Sequence, residues 1–205
     1  MYKVNSYVVY PMYGICKVIG IEDNKVNSSV VECYILECEG ENITLKVPIN
    51  RVKEYRIRKI ISKAEAENFL NLLQTKPHDI ENNWKIRYQE NEVKLKSGEI
   101  EDTIEVARSL FTRNKLKELS ASEKRLYEKA YMFIVNEISI ALKKDRDQIE
   151  DIVSNALEKS AKKFKTKPAE KELIKPNKTT KPAKKKFRVI NVEICWNKNQ
   201  LSSTN

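Results

Sequence analysis

The run Asn83-Trp84-Lys85-Ile86-Arg87-Tyr88 gathers the residue types that contact nucleic acid: a large aromatic, two cations and a second aromatic. An aromatic ring can stack on an unpaired base or enter a base step, while neighbouring cations hold the phosphates. On a helix at about 100° per residue, Trp84, Tyr88 and Leu95 share one narrow stripe and Ile86 and Val93 lie almost opposite, with Lys85, Arg87, Lys94 and Lys96 flanking the Trp84 stripe. So short a helix does not easily bury two apolar stripes in a small core. Tryptophan is mostly buried on average. Here its position at the helix start, beside Lys85 and Arg87, marks Trp84 as the group left to face a partner.

Bond-breaking chemistry has no comparable cluster. The single histidine, His78, sits in Thr75-Lys76-Pro77-His78-Asp79, a loop signature, and Cys16, Cys33, Cys38 and Cys195 contain no Cys-x-x-Cys pair. Cys33 and Cys38 stand an odd interval apart along an apparent strand, which points them to opposite faces and disfavours a shared metal or disulfide. Reduced, structural thiols are expected, with no metal and no cofactor. A nuclease or hydrolase would need a carboxylate cluster, a nucleophile elbow or a phosphate-cradling glycine loop. The chain shows none of these, and four glycines in 205 residues leave little room for the last. No catalytic residue is assigned.

Two kinds of element must position the Trp84 run. Residues 1–57 hold short β-branched and aromatic runs, around Tyr7-Val8-Val9-Tyr10, 14–21, 30–36 and 43–48, separated by turn residues. Four or five such strands predict a small curved barrel of the SH3 or Tudor type that closes its own edges. From residue 62 the period becomes helical. Ser62-Lys63-Ala64-Glu65 and Ser120-Ala121-Ser122-Glu123 are capping boxes, Asn82 or Asn83 caps the Trp84 helix, and Gly98 stops it. Five helices over 62–158 predict a compact bundle, giving an α+β chain.

The formal charge of +10 is unevenly placed. Thirteen Lys or Arg against two acids give +11 over 159–188, so the first 158 residues carry about −1. Residues 159–188, rich in Lys and Pro, are expected to be a disordered polycation that grips nucleic acid without sequence preference. Six phosphate contacts would give a log–log salt slope of about −5. In 189–205, Ile190, Val192, Ile194 and Trp196 alternate with polar or small residues, the pattern of one half-buried strand or a sticky end. With no apolar export segment and no membrane-length run, a cytoplasmic, nucleoid-associated monomer is expected.

Across residues 1–158 the chain resembles the CarD/CdnL family of bacterial transcription regulators. The resemblance is carried by Val8-Val9-Tyr10-Pro11 with Gly14, Ile19-Gly20-Ile21-Glu22, Tyr34-Ile35-Leu36 and Leu45-Lys46-Val47-Pro48. In the helical half it rests on Asn83-Trp84 with Arg87-Tyr88, Lys94-Leu95 with Ser97-Gly98, Val106-Ala107-Arg108 with Leu110, and Leu119-Ser120 with Glu123-Lys124. It implies a Tudor-like barrel docking on the RNA polymerase β subunit through Lys46, Leu45, Val47 and Pro48. It also implies a helical domain touching promoter DNA in the minor groove, largely without sequence preference, at the upstream edge of the melted bubble. The family's wedge tryptophan falls on Trp84 and a nearby arginine on Arg87, whereas Lys85 matches no strict family position; all three are the expected DNA contacts. The chain departs from the family at Asn5-Ser6, Tyr13-Gly14, Cys16 and Asn24. The implied activity is open-promoter stabilisation without catalysis. A polymerase-independent architectural DNA-binding protein is the competing reading.

Overall fold

The computed structural model describes residues 1–26, 29–38 and 43–165, with no account of the side chains of Val26, Ser29 and Lys165. The expectations for 166–205, including the alternating run at 190–196 and Cys195, lie outside the described residues. Among the described residues no helix is long and apolar enough to cross a membrane.

The first lobe is a five-stranded antiparallel, Tudor-like sheet: β1 (Tyr7–Tyr10), β2 (Gly14–Val26), β3 (Ser29–Cys38), β4 (Ile43–Pro48) and β5 (Arg58–Lys59), in the order β4-β3-β2-β1-β5. Alternation builds its core, since Val8, Cys16, Val18, Tyr34, Leu36 and Val47 turn inward and Thr44 and Lys46 outward. A register shift between Val18 and Gly20 bends β2 at Ile19. The expected closure of edges needs amendment. Among the described residues no ladder joins β4 to β5, so the hydrogen-bonding order is linear and β4 is a marginal strand.

The cysteine expectation is also corrected. Cys16 and Cys38 form a disulfide across β2 and β3, where they are register partners with Cα atoms 4.0 Å apart. Cys33 remains a buried free thiol, on the opposite face of β3 as its parity requires. Spacing in sequence cannot show a partner that only strand register brings alongside.

The second lobe is a bundle of α1 (Lys63–Leu73), α2 (Trp84–Ser97), α3 (Ile100–Leu116), α4 (Ala121–Leu142) and α5 (Arg146–Lys165). Ser62 and Ser120 form both capping boxes, with Glu65 and Glu123 closing the reciprocal bonds. The central α3 packs on the other four helices and buries Ile104, Ala107 and Leu110. Helix α5 runs seven residues past the expected end at 158 because Ser160 and Ala161 are buried and the Ser160 hydroxyl donates to the Thr75 carbonyl. Small residues, rather than an apolar period, carry that last stretch.

Candidate nucleic-acid interface

Helix α2 begins at Trp84 itself. The Asn83 side chain accepts from the Lys85 amide at 3.0 Å, an N-cap that fixes the first turn without covering the indole. Further along the same stripe Tyr88 packs on the bundle and Leu95 is fully buried, so this is the core-facing side. Trp84 lies at the head of that stripe and is 52% exposed. Ile86 and Val93, on the opposite side, are exposed as well. The Lys85 ammonium stands 5.8 Å from the indole centroid, at the outer limit of a cation–π contact. Ring and cation therefore share the tip of the helix, as expected from the sequence.

Arg87 does not share it. Its side chain is buried, and it spends its donors inside the lobe: Nε to Glu123 Oε1 at 2.8 Å, Nη2 to the same oxygen at 2.6 Å, and Nη1 to the carbonyls of Glu81 and Asn82 at 2.6 and 3.2 Å. Against the expectation of a direct DNA contact, the Arg87 side chain is buried and bonded within the lobe. A guanidinium three residues on from Trp84 falls on the buried side of α2, where it locks the loop entering the helix. Glu123 in turn accepts from the Ser120 amide and hydroxyl at 3.1 and 2.8 Å. Burial alone would push the Glu123 carboxyl up, but its hydrogen bonds from Ser120 and Arg87 overturn this and hold it below the ordinary carboxylate value.

A second buried pair secures the start of the same loop. Arg108 on α3 binds Glu105, the Thr75 hydroxyl and the Leu72 carbonyl, and Glu105 accepts from the His78 amide at 2.9 Å. Sequence reasoning assigned no positioning role to Glu105, Arg108 or Glu123. Only Glu123 gave a local signal, as the closing residue of a capping box, and its use of Arg87 spans 36 residues.

On the sheet lobe, Lys46 and Glu22 form an exposed ion pair at 2.8 Å. Of the residues expected at the polymerase, Lys46 alone presents a freely exposed side chain. Leu45 and Pro48 are half-buried, and Val47 is core at 2% exposed, which removes its side chain from direct contact. Its backbone still belongs to the marginal strand. Among the described residues no group of His, Cys, Asp and Glu is arranged to hold a metal ion.

Residues 2–61 match the CarD-like/TRCF RID domain and residues 68–154 match the C-terminal domain of CarD. The chain is also 29% identical over 140 residues to the candidate transcription factor YdeB of Bacillus subtilis (strain 168), covering 68% of this chain and 92% of that protein. The matched segments fall one on each lobe, in the same order. The chain belongs to the CarD/CdnL family and is a CarD-like transcription factor.

Proposed function

We propose that the protein is a non-enzymatic regulator that docks on the RNA polymerase β subunit through its sheet lobe and stabilises the open promoter with Trp84. The observation that carries this reading is the half-exposed indole at the tip of α2, backed by a buried Arg87–Glu123 pair that leaves it free while fixing its base. Partly unstacking a base step costs a few kcal/mol, which an inserted aromatic offsets by filling the gap. The minor groove reports little beyond A·T against G·C, so the effect is largely sequence-independent. Because the first 158 residues carry about −1, their own attraction for DNA is weak, and docking on polymerase supplies the local concentration.

Strand β4, unpaired on one side among the described residues, offers a backbone row for a partner strand and carries Lys46 exposed on it. Adding the full chain to polymerase–promoter complexes and challenging them with a polyanionic competitor should lengthen the open-complex lifetime by about tenfold. An unchanged lifetime would overturn the proposal. Charge reversal by Lys46→Glu places like charges at the Glu22 contact and should lower affinity for polymerase by several-fold, chiefly through the association rate, as measured by surface-immobilised polymerase binding. The placement of +11 in 159–188 favours the polymerase-independent architectural reading instead. DNA binding without polymerase that survives removal of residues 1–57 and disappears on removal of 166–205 would select it.

A further inference from the structure

The two lobes meet in a seam built around Arg58. This residue lies on β5, where it pairs with Val9 of β1, and its guanidinium crosses from the sheet into the helical lobe. There Nη1 and Nη2 engage both oxygens of Glu137 on α4, the Nη2–Oε2 bond at 2.9 Å, and Nε donates to the Gly98 carbonyl at 2.8 Å. Glu137 is 5% exposed and also accepts from the Ile61 amide. Gly98 is the left-handed C-cap of α2, with φ of 78°, and a Cβ there would stand 2.6 Å from Pro11 Cγ in the turn between β1 and β2. On the other side of that turn Gly14 leaves the same kind of space, 2.7 Å, for Phe133 of α4. Helix α2 is therefore anchored to the sheet lobe by its carboxyl end, and Trp84 stands at the opposite end, about 20 Å away at helical rise.

We infer that Arg58 is a positioning residue. By joining β5, Glu137 and the carbonyl of Gly98, the residue that caps α2, it makes α2 a strut of fixed direction between the docked sheet and the indole. This rests on the proposed function above. Only a short link, residues 60–62, runs between β5 and α1. A covalent tether of that length brings Trp84 near the DNA but does not orient it, and insertion into a base step depends on orientation as well as distance. The planar, bidentate fork of arginine on a carboxylate supplies that orientation, and its third donor holds the Gly98 carbonyl where the chain leaves α2.

The test separates positioning from folding. Removing one partner alone would strand a buried charge, so the chosen variant is Arg58→Met with Glu137→Met, a replacement of both by apolar groups that often leaves stability intact. In the full chain this variant should keep wild-type affinity for polymerase yet shorten the open-complex lifetime by about fivefold, the low end of what one stacked base is worth. In a Trp84→Ala background the same replacement should cost nothing further, because Arg58 acts through the indole. Equal losses in both backgrounds, or no loss in a variant with wild-type thermal unfolding, would overturn the inference while leaving the role of Trp84 standing. A Trp84→Ala chain with wild-type lifetime would overturn both. A second variant reaches the seam from the other side: Gly98→Ala should shorten the lifetime, and Pro11→Ala should restore part of it by removing Cγ, the atom nearest the new Cβ, and Cδ, while the backbone strain at φ 78° and the Pro11 Cβ contact remain. Gly98→Ala with a wild-type lifetime, the chain being folded, also counts against the strut.

Discussion

Replacing Trp84 by alanine is expected to shorten the polymerase–promoter open complex by about tenfold, with polymerase affinity unchanged. The size follows from the stacking energy of an aromatic on an unpaired base, about 1 to 3 kcal/mol. Selectivity follows from the structure, because the indole is half-exposed at the end of α2 and its removal leaves no cavity comparable to one at Leu95 or Tyr88. A folded-state cost is accordingly small. Phenylalanine at this position should keep part of the effect, having a smaller face but the same capacity to fill a gap between bases. Alanine and wild type with equal lifetimes, measured by competitor challenge at fixed salt, would remove Trp84 from the mechanism. Lys85→Ala gives a useful contrast, since an exposed cation lost from the phosphate side should also reduce the salt dependence.

The elements that proved legible in the sequence are those specified by local chemistry. Ser62 with Glu65 and Ser120 with Glu123 signal helix starts because a capping box closes within one turn, and Asn83 and Gly98 bracket α2 for the same reason. The exposure of Trp84 was legible from its place at the helix start, and two opposed apolar stripes on one short helix showed that one of them would stay outside. Which stripe would go inside was not, and the structure buries Leu95 while leaving Ile86 and Val93 out. What escaped depends on distant pairing. Arg87 carries an exposed residue's charge, and its burial is settled by Glu123, 36 positions on; Arg58 finds Glu137 across 79. The Cys16–Cys38 bond requires the β2–β3 register, and β5 is a two-residue strand with no pattern of its own. In each case the missing information is a contact between elements that no local periodicity encodes.

Arg87→Ala should destabilise the helical lobe by about 3 to 5 kcal/mol, the usual cost of stranding one partner of a buried ion pair. Four bonds end on this guanidinium, and their loss leaves the Glu123 carboxylate short of a cation and the Glu81 and Asn82 carbonyls short of a donor. Chemical denaturation followed by helical ellipticity checks the magnitude. Acid supplies an independent arm. The folded chain holds the Glu123 carboxyl below its ordinary value of 4.5, so its contribution is complete above that pH. As pH falls the unfolded chain takes up the proton first, and the contribution is lost as pH passes down through the depressed folded value. Wild type should therefore lose stability below about pH 4.5, and Arg87→Ala should lose less over the same range because one of the interactions holding that carboxyl ionised is already gone. A variant as stable as wild type, or one with an unaltered acid profile, would mean that Glu123 is held by Ser120 alone. The loop ahead of Trp84 would then owe its order to Arg108 and Glu105, and the indole would be fixed from α3 rather than from the first turn of α4.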